Sequence, residues 1–197
     1  CCLSSLNLEY FDEWSKDKGF LKDVLEMLDN TLSKFIEDAP DSISRAKYSA
    51  MRERSVGVGA LGFHAYLQKK GMPFESALAK SSNMKMFRHI RSGLDSANLE
   101  LGRERGEAPD AQGTGLRCSH VMAIAPNASS SIIMGNTSPS IEPWRANAYR
   151  QDTLSGSFLN KNKFLDKLIK DKCEGNVNLH YDRIWSSIIA NDGSVQH

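Results

Sequence analysis

Between Ser119 and Trp144 the chain reads SHVMAIAPNASSSIIMGNTSPSIEPW, a composition suited to holding an anion. An apolar run from Val121 to Ala125 stops at Pro126. Asn127, Ala128 and three serines, Ser129, Ser130 and Ser131, follow. Small side chains let a charged group approach the main chain, and hydroxyls and unpaired N–H groups at the start of a helical turn donate to it. Phosphate is the anion such a cradle suits. The same residues also read as a Ser-rich cap or turn, because Ser and Asn bond their own backbone wherever a helix begins. The residues alone leave both readings open.

Other chemistry-bearing residues are weaker. The four cysteines, Cys1, Cys2, Cys118 and Cys173, have no metal-ligand spacing, and the histidines are scattered, so no metal site is expected. A reducing compartment holds such thiols reduced unless one of them is catalytic. Gly57, Gly59 and Gly62 satisfy the letter of G-x-G-x-x-G. Charged residues precede them and a helical pattern follows, whereas a dinucleotide fingerprint follows an apolar strand. They read instead as places where a strand or helix packs closely against its neighbour. His64, beside Phe63, has no acid, base or cysteine at a helpful spacing and reads as a packed histidine.

The elements that must position the 126–130 stretch follow from periodicity. Val121 to Ala125 is expected to be a strand ending at Pro126, which has no N–H for a ladder, although periodicity alone also permits a buried helix. Apolar residues from Phe20 to Ile36 recur at steps of one, three and four and predict a helix. Phe87, Ile90, Leu94, Ala97 and Leu101 predict another over Glu75 to Arg105, its charges on a solvated face. Gly106 to Gly115 has the composition of a loop. After Trp144 an extended or looped stretch leads to two short helices, around Phe164 to Ile169 and Tyr181 to Ile189.

With 197 residues the chain is long enough to bury a core. Its formal net charge of +1 lacks the basic excess of a nucleic-acid binder. No apolar run reaches the length of a membrane span and no signal peptide is present, so a cytoplasmic location is expected.

The 119–144 stretch resembles the substrate-phosphate loop of the class I ribonucleotide reductase large subunit. Pro126 to Ser130, Gly135-Asn136 and Ile141-Glu142-Pro143 carry the likeness. Cys1 to Asn7, CCLSSLN, is similar to the family segment holding one redox cysteine, and Arg54 to Gly62, RSVGVGALG, to its Arg-x-x-Gly-x-Gly run. Leu154 to Phe158 and Asn191 to Gln196 fit as well. Cys118 departs from the family, which usually has Asn or His there.

The resemblance implies an α/β fold: a helix-rich piece of a ten-stranded α/β barrel, with 1–197 forming a single partial domain without internal boundary. It implies an oxidoreductase, ribonucleoside-diphosphate reductase, acting in deoxyribonucleotide biosynthesis for DNA replication. A thiyl radical abstracts the 3′ hydrogen, water leaves the 2′ carbon, and a cysteine pair supplies two electrons by forming a disulfide. Cys1 matches one member of that redox-active pair, its partner falling outside these residues; Cys2, one step along an extended segment, faces the other way and is structural. Pro126, Asn127, Ala128, Ser129 and Ser130 match the diphosphate-binding loop. The implied partners are a ribonucleoside diphosphate, the small subunit with its metal-containing radical centre, the remaining segments of the large subunit, and a dithiol reductant, thioredoxin or glutaredoxin. ATP and dNTP effectors make the family's enzyme allosteric. The chain is expected to be a fragment, inactive by itself. A stand-alone nucleotide- or phosphate-binding module, and a helix-rich structural piece of a split protein, are the alternatives.

Overall fold

The structure, a computed structural model, describes residues 1–153, 156–176 and 178–196. Leu154 and Ser155, the first two residues of the LSGSF match, lie outside the described residues. The chain divides into two compact units, Cys1–Glu142 and Pro143–His197, at a point that no shift of composition marks.

The first unit contains β1 (Cys2–Asn7), α1 (Phe11–Trp14), α2 (Phe20–Asp38), α3 (Ser44–Glu53), β2 (Val56–Leu61), α4 (Phe63–Lys69), α5 (Ala77–Arg105) and α6 (Ala128–Ile133). β1 and β2 pair in parallel, from Cys2 opposite Val56 to Asn7 opposite Leu61. Parallel neighbours need a long crossover, which α1, α2 and α3 supply. Leu6, Val56, Val58 and Ala60 from the strands share one core with Leu25, Leu28 and Leu32 of α2 and Ile90, Leu94 and Leu101 of α5. Both long helices stand where the apolar spacing put them. α5 begins after Glu75 because Ser76 takes an extended conformation and accepts a hydrogen bond from the Ala79 N–H at 3.1 Å, which is the geometry of an N-cap.

The apolar stripe of α2 carries one charge. Asp29, fully buried, accepts from Arg54 Nε at 3.0 Å, Arg105 Nη1 at 2.9 Å and Arg117 Nε at 3.1 Å. Arg54 ends α3 with a left-handed backbone, φ 45°, so the arginine of the RSVGVGALG run anchors a helix end to α2. Burial pushes the Asp29 carboxyl up, and the bonds from Arg54, Arg105 and Arg117 more than offset this, holding it below its ordinary value of 3.8.

Residues 121–125 do not form the expected strand. The segment pairs with β2 through a single parallel bridge, Met122 to Val58, with Val58 N–H donating to Val121 O at 2.8 Å and Ala123 N–H to Val58 O at 3.3 Å. The ladder goes no further, and on the next β2 carbonyl a side chain donates instead: Asn127 Nδ2 bonds Ala60 O at 3.1 Å and Ala125 O at 2.9 Å. A side-chain amide replaces the rung that Ala125 would have made.

The second unit is a β3 (Ala148–Thr153) and β4 (Gly156–Lys161) antiparallel hairpin with α7 (Lys163–Cys173) and α8 (Tyr181–Ala190). Ala148, Ile169, Trp185 and Ile188 form its core. Both helices match the apolar spacing, and the stretch read as extended or looped is the hairpin. Among the described residues no helix is long and apolar enough to cross a membrane.

Candidate phosphate-binding loop at the strand ends

The 126–140 segment is held at the carboxyl ends of β1 and β2. Gly62, just past β2, has φ 81° and donates its N–H to Ser138 O at 2.7 Å. A Cβ at Gly62 would lie 2.5 Å from Asn7 Oδ1 and 2.9 Å from Thr137 Oγ1, so this corner accepts only glycine on grounds of both backbone and space. Ser138 Oγ accepts from the Ala65 N–H at 3.0 Å. Thr137 Oγ1 donates to Glu9 Oε2 at 2.7 Å, and Thr137, Ser138 and Glu9 are all buried.

Within that frame, Asn127 has a left-handed backbone, φ 55°, and α6 begins at Ala128. The first N–H groups of a helix have no intrahelical acceptor. Ala128, Ser129 and Ser130 are exposed. Ser131 differs from its two neighbours. It is buried, its N–H bonds to Asn127 O at 2.9 Å and its Oγ donates to Ala128 O at 3.0 Å. The three serines that look equivalent in sequence therefore divide into one structural and two available. Pro126 is exposed, and Gly135 and Asn136, with φ 82° and 50°, turn the chain back after α6. The Asn136 Oδ1 is buried without a hydrogen-bond partner. No lysine or arginine lies between Ser119 and Trp144, so the stretch itself offers an anion N–H and O–H dipoles rather than a cation.

Cys1 stands at the other end of β1. Five residue steps at about 3.3 Å each separate Cys2 from Asn7, roughly 16 Å along the strand. Cys1 is exposed, and Cys2 packs against the core, as alternation in an extended chain requires. The structure thus brings Pro126, Asn127, Ala128, Ser129 and Ser130 together and places Cys1 apart from them. Cys118 is fully buried; burial pushes its thiol up to about 12, with the Asp29 carboxylate acting in the same direction. Asn98 holds the backbone on both sides of it, Nδ2 to Cys118 O at 2.9 Å and Oδ1 to Cys118 N–H at 2.8 Å.

Gly57 and Gly59 are buried inside β2, not in a loop after a strand. A Cβ at Gly57 would lie 2.6 Å from Leu3 Cδ2 and 2.7 Å from Ala123 Cβ, the close-packing role read from the sequence. His64 packs edge-on to Phe74 at 5.7 Å, and burial lowers its pKa from 6.5, with the Glu75 charge opposing. Among the described residues no cluster of three or more His, Cys, Asp or Glu could hold a metal ion.

Sequence reasoning missed Asn7, Glu9, Thr137 and Ser138 as supports of the loop. The legible signal was Glu9, an acid inside the apolar run Leu8 to Phe11. Asn7 Oδ1 accepts from Glu9 N–H at 3.1 Å and so fixes the turn out of β1.

The sequence model of the family described as "Ribonucleotide reductase, barrel domain" matches residues 1–114 and 107–184. The chain is similar to the ribonucleoside-diphosphate reductase large subunit of Invertebrate iridescent virus 6, 58% identical over 196 residues, covering all of this chain and 20% of that protein. The large subunit of Invertebrate iridescent virus 3 is 56% identical over 197 residues, covering all of this chain and 31% of that protein. The class Id ribonucleotide reductase alpha subunit of Actinobacillus ureae superposes with a TM-score of 0.87 at 39% identity, over all of this chain and 35% of that one. The chain therefore spans between 20% and 35% of the length of these three proteins.

Proposed function

Because the chain belongs to the ribonucleotide reductase barrel-domain family, we propose that it serves as part of the catalytic barrel of a ribonucleoside-diphosphate reductase large subunit. The observation that carries this reading is the exposed start of α6, where Ala128, Ser129 and Ser130 present N–H and O–H donors at the carboxyl ends of a parallel strand pair. Ligands of open α/β sheets bind at that end of the strands. Pro126 to Ser130 hold the substrate diphosphate. Small side chains leave the main chain accessible, and no cation is required.

Cys1 is the redox thiol. Reduction at the 2′ carbon replaces C–OH by C–H and releases water, and the two electrons come from two thiols that become a disulfide, with Cys1 as one of them. That bond requires a second cysteine with a Cα at roughly 4.4 to 6.8 Å, supplied by a segment outside this chain. An external dithiol, thioredoxin or glutaredoxin, then restores both thiols by exchange. The small subunit supplies the radical from its metal centre, the remaining large-subunit segments complete the barrel, and ATP and dNTPs regulate it. The site of action is the cytoplasm. The barrel-domain match from 107 to 184 runs across the division after Glu142, which supports reading 1–197 as one partial domain.

The test is nucleoside-diphosphate affinity of a Ser129→Ala, Ser130→Ala double variant in the completed enzyme, with thermal stability measured in parallel. Each lost bond to the charged group removes about 1.5 to 3 kcal/mol, tenfold or more in affinity. Ala128→Asp weakens binding further by placing a negative charge beside the phosphates. If the serines only cap α6, stability falls by roughly 0.5 to 2 kcal/mol and affinity stays as it was.

A further inference from the structure

We infer that Glu9 and Thr137 are positioning residues for the phosphate donors, a role that rests on the reading of Ala128 to Ser130 as the diphosphate site. Glu9 is fixed from its own backbone: its N–H bonds to Asn7 Oδ1 at 3.1 Å, and its carbonyl accepts from Lys69 Nζ at 3.3 Å. The carboxyl group meets the loop through Thr137 Oγ1 at 2.7 Å, the usual length of an O–H···O bond. Thr137 is 1% exposed and Glu9 6%, so water does not compete for this bond.

From Thr137 the contact runs by main-chain bonds to the start of α6. Thr137 N–H donates to Ser131 O at 3.0 Å and Ser131 N–H to Asn127 O at 2.9 Å; Ser131 Oγ closes the turn on Ala128 O at 3.0 Å. Turning Thr137 therefore turns the first residues of α6, and with them the donors of Ala128, Ser129 and Ser130. The loop is tethered separately by Ser138 to Gly62 and Ala65. Removing the Glu9–Thr137 bond leaves that tether in place and frees the orientation of the donors, not the attachment of the loop. A misplacement of about 1 Å at a binding group is enough to cost a large part of its effect.

The experiment measures inorganic pyrophosphate binding by the completed large subunit, by calorimetry well below the melting transition, together with amide hydrogen exchange. The isosteric Thr137→Val lacks the hydroxyl and weakens pyrophosphate binding tenfold or more. Thr137→Ser restores the donor and binds within about threefold of wild type, and Glu9→Gln, with a neutral acceptor, falls between them. In Thr137→Val the amides of 128–130 exchange faster while those of β1 and β2 are unchanged. Equal pyrophosphate affinity for Thr137→Val and wild type, or exchange that rises equally in the strands, overturns the positioning role and leaves the loop reading standing. A completed wild-type subunit that binds no pyrophosphate overturns the loop reading, and the positioning role falls with it.

Discussion

The side-chain amide of Asn127 donates to the carbonyl of Ala60 at 3.1 Å, and this bond ends the sheet edge and begins the candidate site. A residue with φ 55° turns the chain out of the ladder, and its side chain satisfies the acceptor that the ladder leaves behind. Asn is one of the few side-chain-bearing residues that does both, since it tolerates the left-handed region and carries a donor.

Asn127→Ala therefore leaves Ala60 O buried without that donor and adds backbone strain. We expect a loss of about 1 to 3 kcal/mol of stability, read by chemical denaturation. Asn127→Gly relieves the strain but not the missing bond, so it falls between Ala and wild type. Equal stability of all three would remove the amide as the terminator of the edge.

The Asp29 cluster gives the first unit an acid limit. The folded-state pKa lies below 3.8, so the cluster's contribution is complete above about that pH and is lost as pH falls through the lower folded value. Asp29→Asn leaves Arg54, Arg105 and Arg117 without their shared carboxylate and is expected to destabilise by about 3 to 5 kcal/mol. The difference between variant and wild type should shrink as pH drops below 3.8. A stability difference that stays constant from pH 7 to pH 3, measured by denaturant titration, would contradict this.

Native thiol labelling should rank the cysteines by access and charge state. Cys1 is exposed, whereas Cys118 is buried with its thiol raised to about 12, and only the thiolate reacts. Labelling at pH 8 should modify Cys1 first and Cys118 only after unfolding. Early modification of Cys118, read by peptide mass analysis, would place it at the surface.

Much of this was legible in the sequence, for reasons that differ by element. α2 and α5 are long and amphipathic, so their stripes identify them, and the Pro-Asn-Ala-Ser-Ser run marks a donor-rich helix start whatever surrounds it. The expected strand at 121–125 is cut to a single bridge with Val58, and it is Asn127 that bonds Ala60 O, a contact between residues 67 apart that no local pattern shows. Asp29 was passed over although it lies four residues from Leu25 and three from Leu32, where a charge on an apolar stripe signals a buried ion pair. Ser131 could not be told from Ser129 and Ser130, because the distinction is which way each faces from one helical turn. The Glu9–Thr137 pair joins residues 128 apart, and no local pattern announces it.

The assignment of Cys1 is the claim on which the redox chemistry depends, and one measurement addresses it directly: deoxynucleotide formation over many turnovers, with a dithiol reductant, by the completed large subunit and its small subunit carrying Cys1→Ser or Cys2→Ser. Cys1 is exposed and Cys2 packs against the core, so the account predicts that Cys1→Ser abolishes multiple turnover while Cys2→Ser sustains it. Equal loss in both variants, or loss confined to Cys2→Ser, would contradict it.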